Sequence, residues 1–326
     1  MVEEIINKLK NNINYDLSID ELKILYEIDG LTNIEFSLYR NRRNNYKDFC
    51  KIFGKEFVAR TSSDIDENTI CFVGDLFIQK ILPTYNLKYI YGSLIYSLKL
   101  FYNLENLEII YNSFSADNIN KKERLENLTR VYGIKIDNIE EVAFNQFSIT
   151  NNTKILLGDL FDCITKSTKN LEYVVGDFFY DSNKIHNLYN LKGIMGTASF
   201  PYLVSAKGLN NLRVIKKSAD FYSLKKATGL EKLSYIGLDA YFHYLENAQG
   251  LKSLEVINGN ANFHSLKSAK GLDNLKIISN CAFFDSLEDA NSLNSDLYIG
   301  GIEDFNGMTL NQIKKKKVKK YASRNI

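Results

Sequence analysis

The sequence predicts a strand-rich repeat solenoid of about twelve turns that follows a helical cap. A 21-residue unit occurs four times in succession, beginning at Gly208, Gly229, Gly250 and Gly271. Within the unit, an Ala and a Phe stand two positions apart, which is the spacing of one face of a β-strand. Two Leu and an Ile stand three positions apart, which suits a tight turn. No single unit encloses a core, so neighbouring units must stack as they do in a solenoid.

The repeat extends beyond the four closest copies. A fifth complete copy runs from Leu188 to Ala206, and weaker copies precede it. We interpret the longer interval between residues 131 and 156 as an inserted loop. Glycine recurs before the first Leu and again two residues after the Ile, where we expect corners with positive φ. The isoleucine-type position recurs at residues 72, 90, 110, 131, 156, 174, 194, 215, 236, 257, 278 and 299.

The run L-x-x-L-x-x-I-x-G-x-A-x-F resembles the bacterial leucine-rich repeats related to receptor L domains, over about residues 66 to 306. The resemblance implies an architecture and says almost nothing about activity. No asparagine holds a fixed position in the unit, which departs from the asparagine-ladder type of leucine-rich repeat. This departure favours a straighter, strand-rich coil over a regular horseshoe with helices outside.

The two ends of the chain differ from the repeat. Residues 1–60 have helical spacing, and Ser18 with Glu21 makes a capping box, so we interpret this part as a helical cap on the solenoid at 61–308. An independent functional domain is the alternative for residues 1–60. Residues 309–326 are a basic tail or capping helix, either solvated or phosphate-binding through Lys314, Lys315, Lys316, Lys317, Lys319 and Lys320.

Composition is that of an ordinary globular protein. The net charge is +2, so no overall field attracts nucleic acid or an acidic surface. Four scattered cysteines without a CxxC pair predict free thiols in a reducing compartment. We recognise neither a signal peptide nor an apolar run long enough to span a membrane, so we expect a cytoplasmic protein.

The sequence contains no motif of a phosphate-binding loop, zinc protease, serine hydrolase, dinucleotide-binding fold or calcium loop. We therefore expect neither an enzyme nor a cofactor. His243, His264 and Asp285 occupy one repeat position in successive turns, which is a spacing that a metal site could use. The position points outward, so we prefer a surface column without a metal.

The outward strand positions carry the best indication of function. They and their neighbours include four aromatic residues, and periodicity places these on one wall. Contiguous exposed aromatic residues favour an interaction surface. The predicted partner-binding residues are Tyr222, Tyr241, His243, Tyr244, His264, Phe283 and Asp285.

These observations predict a non-enzymatic recognition protein that binds a protein partner through its solenoid wall, as an inhibitor or adaptor. A phage-type antagonist of a bacterial defence complex such as CRISPR is one concrete form. The alternative is binding to nucleic acid or a ribonucleoprotein through the exposed aromatic residues and the lysine-rich tail. A steep fall of affinity with salt would separate the two hypotheses.

Overall fold

A computed structural model describes residues 2–26, 28, 40, 43–97, 103–112, 114–116, 125–162, 166–305 and 307. The chain divides into two compact units, Met1–Ile139 and Glu140–Ile326, called here the first and the second unit. The described strands make a parallel β-solenoid of about ten turns with a period of about 21 residues. The lysine-rich segment at 309–326 lies outside the described residues.

The first unit begins with three helices: α1 (Val2–Asn11), α2 (Ile19–Leu25) and α3 (Asn45–Phe53). The predicted capping box is confirmed, since Ser18 Oγ accepts the Glu21 backbone N–H at 3.2 Å and the Glu21 carboxylate accepts that of Ser18 at 2.9 Å. The apolar faces of the helices pack against side chains on the outer face of the first unit's sheet, among them Cys71, Tyr89 and Ile109. Phe53 stacks on Tyr89 with ring centroids 5.1 Å apart.

The strands of the first unit form a six-stranded sheet in the order β1-β2-β4-β6-β8-β9 and a three-stranded sheet in the order β3-β5-β7. All pairs are parallel except β8 with β9. The strands are β1 (Val58–Ala59), β2 (Cys71–Val73), β3 (Leu76–Ile78), β4 (Tyr89–Tyr91), β5 (Leu94–Tyr96), β6 (Ile109–Ile110), β7 (Phe114–Ala116), β8 (Arg130–Val131) and β9 (Ile134–Lys135).

The second unit has two long parallel sheets. A nine-stranded sheet contains β10 (Val142–Ala143), β11 (Ile155–Leu156), β13 (Tyr173–Val174), β15 (Gly193–Ile194), β17 (Val214–Ile215), β19 (Tyr235–Ile236), β21 (Val256–Ile257), β23 (Ile277–Ile278) and β25 (Tyr298–Ile299). An eight-stranded sheet contains β12 (Leu160–Phe161), β14 (Phe178–Phe179), β16 (Ala198–Ser199), β18 (Ala219–Asp220), β20 (Ala240–Tyr241), β22 (Ala261–Asn262), β24 (Ala282–Phe283) and β26 (Glu303–Asp304).

The core of the second unit is the predicted set of inward ladders. Each strand pairs with the strand one period later, so identical residues lie side by side, as Ile215 does with Ile236. Neighbouring rings of the Phe ladder have centroids 4.9 to 5.4 Å apart. The ladder consists of Phe200, Phe221, Phe242, Phe263, Phe284 and Phe305, all with 0% exposure. The predicted inward positions are therefore confirmed.

The glycines of the repeat serve two different purposes. Gly208, Gly229 and Gly271, which precede the first Leu, have the predicted positive φ of 114°, 102° and 103°. The second glycine position is mixed, because Gly92 has the predicted positive φ of 159° whereas Gly176 and Gly196 do not have positive φ. A Cβ at Gly196 would overlap the backbone of Gly176 in the preceding turn, so this position requires glycine for close packing.

An asparagine ladder is present, contrary to the expectation from sequence. Asn residues just before the second Leu each donate from Nδ2 to a backbone carbonyl one turn earlier, as Asn190 does to Lys169 at 2.9 Å. Backbone carbonyls between turns are thereby satisfied by side chains. The equivalent donors are Asn86, Asn106, Asn127, Asn170, Asn190, Asn211 and Asn274.

The residues between 131 and 156 are not an inserted loop. They contain β9, which pairs antiparallel with β8 in the six-stranded sheet, and β10, which pairs parallel with β11 in the nine-stranded sheet. The longer interval therefore contains the last strand of one sheet and the first strand of another.

Both units start their solenoid with the same local structure. A 3₁₀ turn, a strand, a second 3₁₀ turn and two strands follow one another in each. Thr69 and Thr153 are buried, and their hydroxyls accept the backbone N–H groups of Asp66 and Thr150 at 3.0 and 2.9 Å. The sequences match at a constant shift of 84 positions, or four periods of 21, at Val58/Val142, Ala59/Ala143, Ile65/Ile149, Thr69/Thr153, Gly74/Gly158, Asp75/Asp159, Leu76/Leu160 and Phe77/Phe161. This constant shift indicates an internal duplication of whole turns.

Candidate partner-binding face

The outer face of the eight-stranded sheet is built by the alternation of its strands. In β18, Ala219 and the following Phe221 point into the core with 0% exposure, whereas Tyr222 is 42% exposed. The same alternation in each turn produces three outward columns. The first contains Asp159, Asp177, Thr197, Ser218, Asp239, Asn260, Cys281 and Ile302; the second Phe161, Phe179, Ser199, Asp220, Tyr241, Asn262, Phe283 and Asp304; the third Asp181, Pro201, Tyr222, His243, His264 and Asp285.

Most of the predicted site residues form one connected cluster on this face. His243 stacks on Tyr222 with ring centroids 4.8 Å apart, and Tyr244 lies edge-on to Tyr222 at 5.2 Å. His264 lies 4.4 Å from His243, and Phe283 lies 6.4 Å from His264. The rings therefore make a continuous aromatic surface across four turns.

The remaining two predicted residues lie beside this cluster. The carboxylate of Asp285 shares a hydrogen bond with Nδ1 of His264, and both side chains are partly exposed. Tyr241 is 39% exposed in the second column, where its hydroxyl donates to Asp239 at 3.3 Å. The predicted lysines of the C-terminal tail lie outside the described residues.

Two side chains on the face have shifted pKa values. Partial burial, together with the nearby His264, lowers the pKa of His243, so this imidazole is neutral at neutral pH. Burial raises the pKa of Asp220, and the bond that it accepts from the Tyr222 backbone N–H opposes that rise. The ring of His243 is therefore an uncharged contact, whereas Asp220 is a carboxylate held where charge is unfavourable.

Sequence reasoning missed a second aromatic pair. Phe161 and Phe179 occupy the second column in the first two turns of the sheet, where their rings stack 5.1 Å apart. Phe161 is 49% exposed. The same column holds Tyr241 and Phe283, so the signal was available once the weaker copies were aligned with the closest ones.

Sequence reasoning also missed the charge of this face. Seven positions in the three columns are aspartates, and no position is Lys or Arg. The side chain of Lys217 reaches the edge of the face and lies 3.4 Å from Asp177. The aspartates are Asp159, Asp177, Asp181, Asp220, Asp239, Asp285 and Asp304.

The nine-stranded sheet differs in charge from this face. So does the arc, which is the set of connecting segments that run from the eight-stranded sheet to the nine-stranded sheet. Lys and Glu in neighbouring turns pair across the outside of that sheet, as Lys192 does with Glu172 at 2.5 Å and Lys276 with Glu255 at 2.7 Å. A depression of about 310 Å³ on the arc is lined by Lys184, Ile185, His186, Tyr189, Ser205 and Lys207. Acidic character is thus concentrated on the outer face of the eight-stranded sheet.

Within the described part of the chain, no group of three or more His, Cys, Asp or Glu side chains is placed to hold a metal ion. In the column of His243, His264 and Asp285, the two imidazole rings contact each other and Asp285 shares a hydrogen bond with His264. In the same described ranges, no helix combines the length and apolar character that crossing a bilayer requires.

No protein-family model matches the chain, and no curated protein matches its sequence.

Proposed function

We propose that this chain is a non-enzymatic recognition protein that binds a protein partner through the outer face of the eight-stranded sheet. The observation that supports the proposal is the connected surface of exposed rings around Tyr222, His243 and Tyr244. Such rings bury large apolar area with few rotatable bonds, which is why they are common at binding hot spots. A parallel sheet held by core ladders keeps them in place before binding, which lowers the entropy lost on association.

The proposal includes the finer features expected from sequence. The solenoid is a leucine-rich repeat of twelve turns, it acts in the cytoplasm, and it works as an inhibitor or adaptor, for example as a phage-type antagonist of a bacterial defence complex. The asparagine ladder supports the leucine-rich-repeat assignment, because side-chain amides there bond the backbone of the preceding turn.

Binding of nucleic acid or a ribonucleoprotein is the second candidate, and the lysine-rich tail favours it. The aromatic cluster does not, because carboxylates surround it and would repel a phosphate backbone. The two candidates therefore predict different working surfaces.

The test is affinity capture from an extract of the native cell, using wild type and the triple variant Tyr222→Ser, Tyr241→Ser, Phe283→Ser. The matched control replaces three other outward side chains, Tyr189, Ile277 and Tyr298, which are 54%, 37% and 61% exposed. We expect wild type and the control to retain one specific protein that the triple variant loses. For the purified partner, we expect Kd to rise at least about 30-fold. Equal retention by all three proteins would contradict the proposal.

Thermal unfolding shows whether the variants are folded. Each substitution on the surface should change stability by less than about 0.5 kcal/mol. The melting temperature of the triple variant should therefore stay close to that of the control.

A further inference from the structure

The charge of the outer face is opposite to that of the rest of the chain. The whole protein has a net charge of +2, yet the three outward columns hold seven aspartates and no Lys or Arg. The excess of basic residues therefore lies elsewhere, including the lysines of the arc that line the depression at Lys184 and Lys207. If charged side chains served only solubility, we would expect positive and negative ones to be interspersed over the whole surface.

Hydrogen bonds hold several of these carboxylates in fixed positions. Asp159, Asp177 and Asp239 each accept the backbone N–H of the equivalent residue one turn later, all at 2.7 Å. One oxygen makes this bond, while an ionised carboxylate has about four acceptor positions in all. Asp177 also pairs with Lys217, and Asp239 also accepts from Asn260 Nδ2 and the Tyr241 hydroxyl. The bonds therefore orient these carboxylates and leave part of their acceptor capacity for a partner.

Asp220 shows that the charge is not required by the fold. It pairs in register with Ser199 on one side and Tyr241 on the other, so neutral side chains fill the same position in neighbouring turns. Its carboxylate is half-buried, where a charge is less stable than in water. A residue that the sheet does not need, and that is held at some expense of stability, indicates a role in binding.

One polar atom on the same face also lacks a partner. Oδ1 of Asn262 is buried and accepts no hydrogen bond, although it lies in the second column between Tyr241 and Phe283. A buried acceptor without a donor is unfavourable until a donor arrives.

We infer that the partner docks on this face with a basic segment, in which Lys or Arg side chains alternate with apolar ones. The inference rests on the proposed function and names the chemistry of the partner. Guanidinium and ammonium groups lie over the rings of Tyr222, Tyr241 and Tyr244 and pair with the adjacent carboxylates. Apolar side chains fill the spaces beside Phe161, Phe179 and Phe283. Charge complementarity of this kind selects the partner and speeds its association.

The test uses three labelled probes: a 12-residue peptide of alternating Arg and Leu, a peptide of alternating Glu and Leu, and single-stranded oligo-dT of 20 nucleotides. Fluorescence anisotropy measures each Kd at low and moderate salt. We expect the Arg–Leu peptide to bind about tenfold or more tightly than the Glu–Leu peptide, with an affinity that falls as salt rises. Comparable binding of the two peptides would overturn the inference.

Two charge variants locate the binding site. Asp181→Asn, Asp220→Asn, Asp285→Asn removes three of the seven negative charges of the face, and Glu246→Gln, Glu288→Gln, Asp296→Asn removes the same charge elsewhere on the second unit. The first variant should bind the Arg–Leu peptide about tenfold more weakly than wild type does. For the second variant, the loss of affinity should be less than about twofold. Equal effects would show that only net charge matters and would overturn the inference. Tight binding of oligo-dT that is lost in the aromatic triple variant would also overturn it, in favour of nucleic acid.

The outcome can be separated from that of the proposed function. One outcome is that the captured protein fails to bind the aromatic triple variant and yet binds the Asp181→Asn, Asp220→Asn, Asp285→Asn variant as tightly as it binds wild type. In that case the proposed function stands and the basic segment is refuted. If the aromatic triple variant retains the captured protein, the proposed function fails first.

Discussion

Replacing Phe263 with Ala tests the inward ladder of the second unit directly. The ring has 0% exposure and stacks between Phe242 at 5.3 Å and Phe284 at 5.0 Å. Removing a buried Phe side chain typically costs 3–5 kcal/mol, of which each lost aromatic pair accounts for about 0.5–1.5 kcal/mol. Because both ring contacts disappear together, we expect Phe263→Ala to lower the free energy of unfolding by about 4 kcal/mol.

The neighbouring residue provides the control. His264 points outward, its side chain is 29% exposed, and it loses only its ring contacts and its bond to Asp285 when it is replaced by Ala. Exposed pairs of this kind contribute at most about 1 kcal/mol. We therefore expect His264→Ala to lower the free energy of unfolding by less than about 1 kcal/mol.

The assay is urea unfolding followed by circular dichroism and by tyrosine fluorescence, since the chain has 21 Tyr and no Trp. Hydrogen exchange of the turns around residue 263 shows whether the loss is local, as a solenoid with nearest-neighbour contacts allows. Equal destabilisation by the two substitutions, or a loss below about 1 kcal/mol for Phe263→Ala, would refute the assignment of inward and outward positions.

The remaining predictions concern a glycine, a carboxylate and the tail. Gly229→Ala should lower the free energy of unfolding by about 1–3 kcal/mol in chemical denaturation, because φ is 102° and the new Cβ would overlap the Ala206 carbonyl. Gly133→Ala should lower it less, because no atom lies within 4 Å of the new Cβ. Asp220→Asn should raise the melting temperature at pH 7. Burial raises the pKa of Asp220 in the folded state, so the ionised carboxylate destabilises the fold at pH values above that pKa. The gain in stability should shrink as the pH falls through the folded-state pKa and should vanish below the pKa of Asp220 in the unfolded chain. An equal gain at pH 3 would contradict this explanation. Deleting residues 314–326 should leave partner binding unchanged, and loss of binding in a folded truncated protein would favour the nucleic-acid candidate.

The repeat pattern alone predicted the core with good accuracy. Positions such as Ile236, Ala240 and Phe242 are buried for the reason that the spacing indicated, because every turn must contribute the same side chains to a continuous interior. The capping box at Ser18 was equally predictable, since it depends on residues three apart along the chain.

The asparagine ladder was missed because comparison began with the four most similar copies. In those copies the position holds Asn211, Lys232, Ser253 and Asn274, so the consensus disappears where the rest of the repeat is strongest. Ser253 makes the equivalent bond, since its hydroxyl donates to the Glu231 carbonyl at 2.6 Å. A donor to the preceding turn is what the position requires, and more than one residue type supplies it.

The charge of the candidate face was missed for a different reason. Asp181, Asp220 and Asp285 fall at different places in the chain, and none of them recurs within its own column from one turn to the next. Periodicity had already placed Asp285 with Tyr222 and Tyr241, and the observed register adds aspartates from the weaker copies, such as Asp181, to the same surface. A column-by-column count of charge would have revealed it, whereas a search for repeated residues could not.

The duplication by 84 positions has a consequence for how such a gene can change length. Because the shift equals four whole periods, unequal recombination between related turns removes or adds complete turns and leaves every inward residue facing inward. A shift that is not a whole number of periods would rotate the pattern and expose the ladders to water. The lineage of this protein can therefore have lengthened its solenoid by copying turns, and later substitutions such as those at Tyr222, His243 and Asp285 gave similar turns different surfaces. The length of the solenoid then changes by recombination, whereas the chemistry of its surface changes by point mutation.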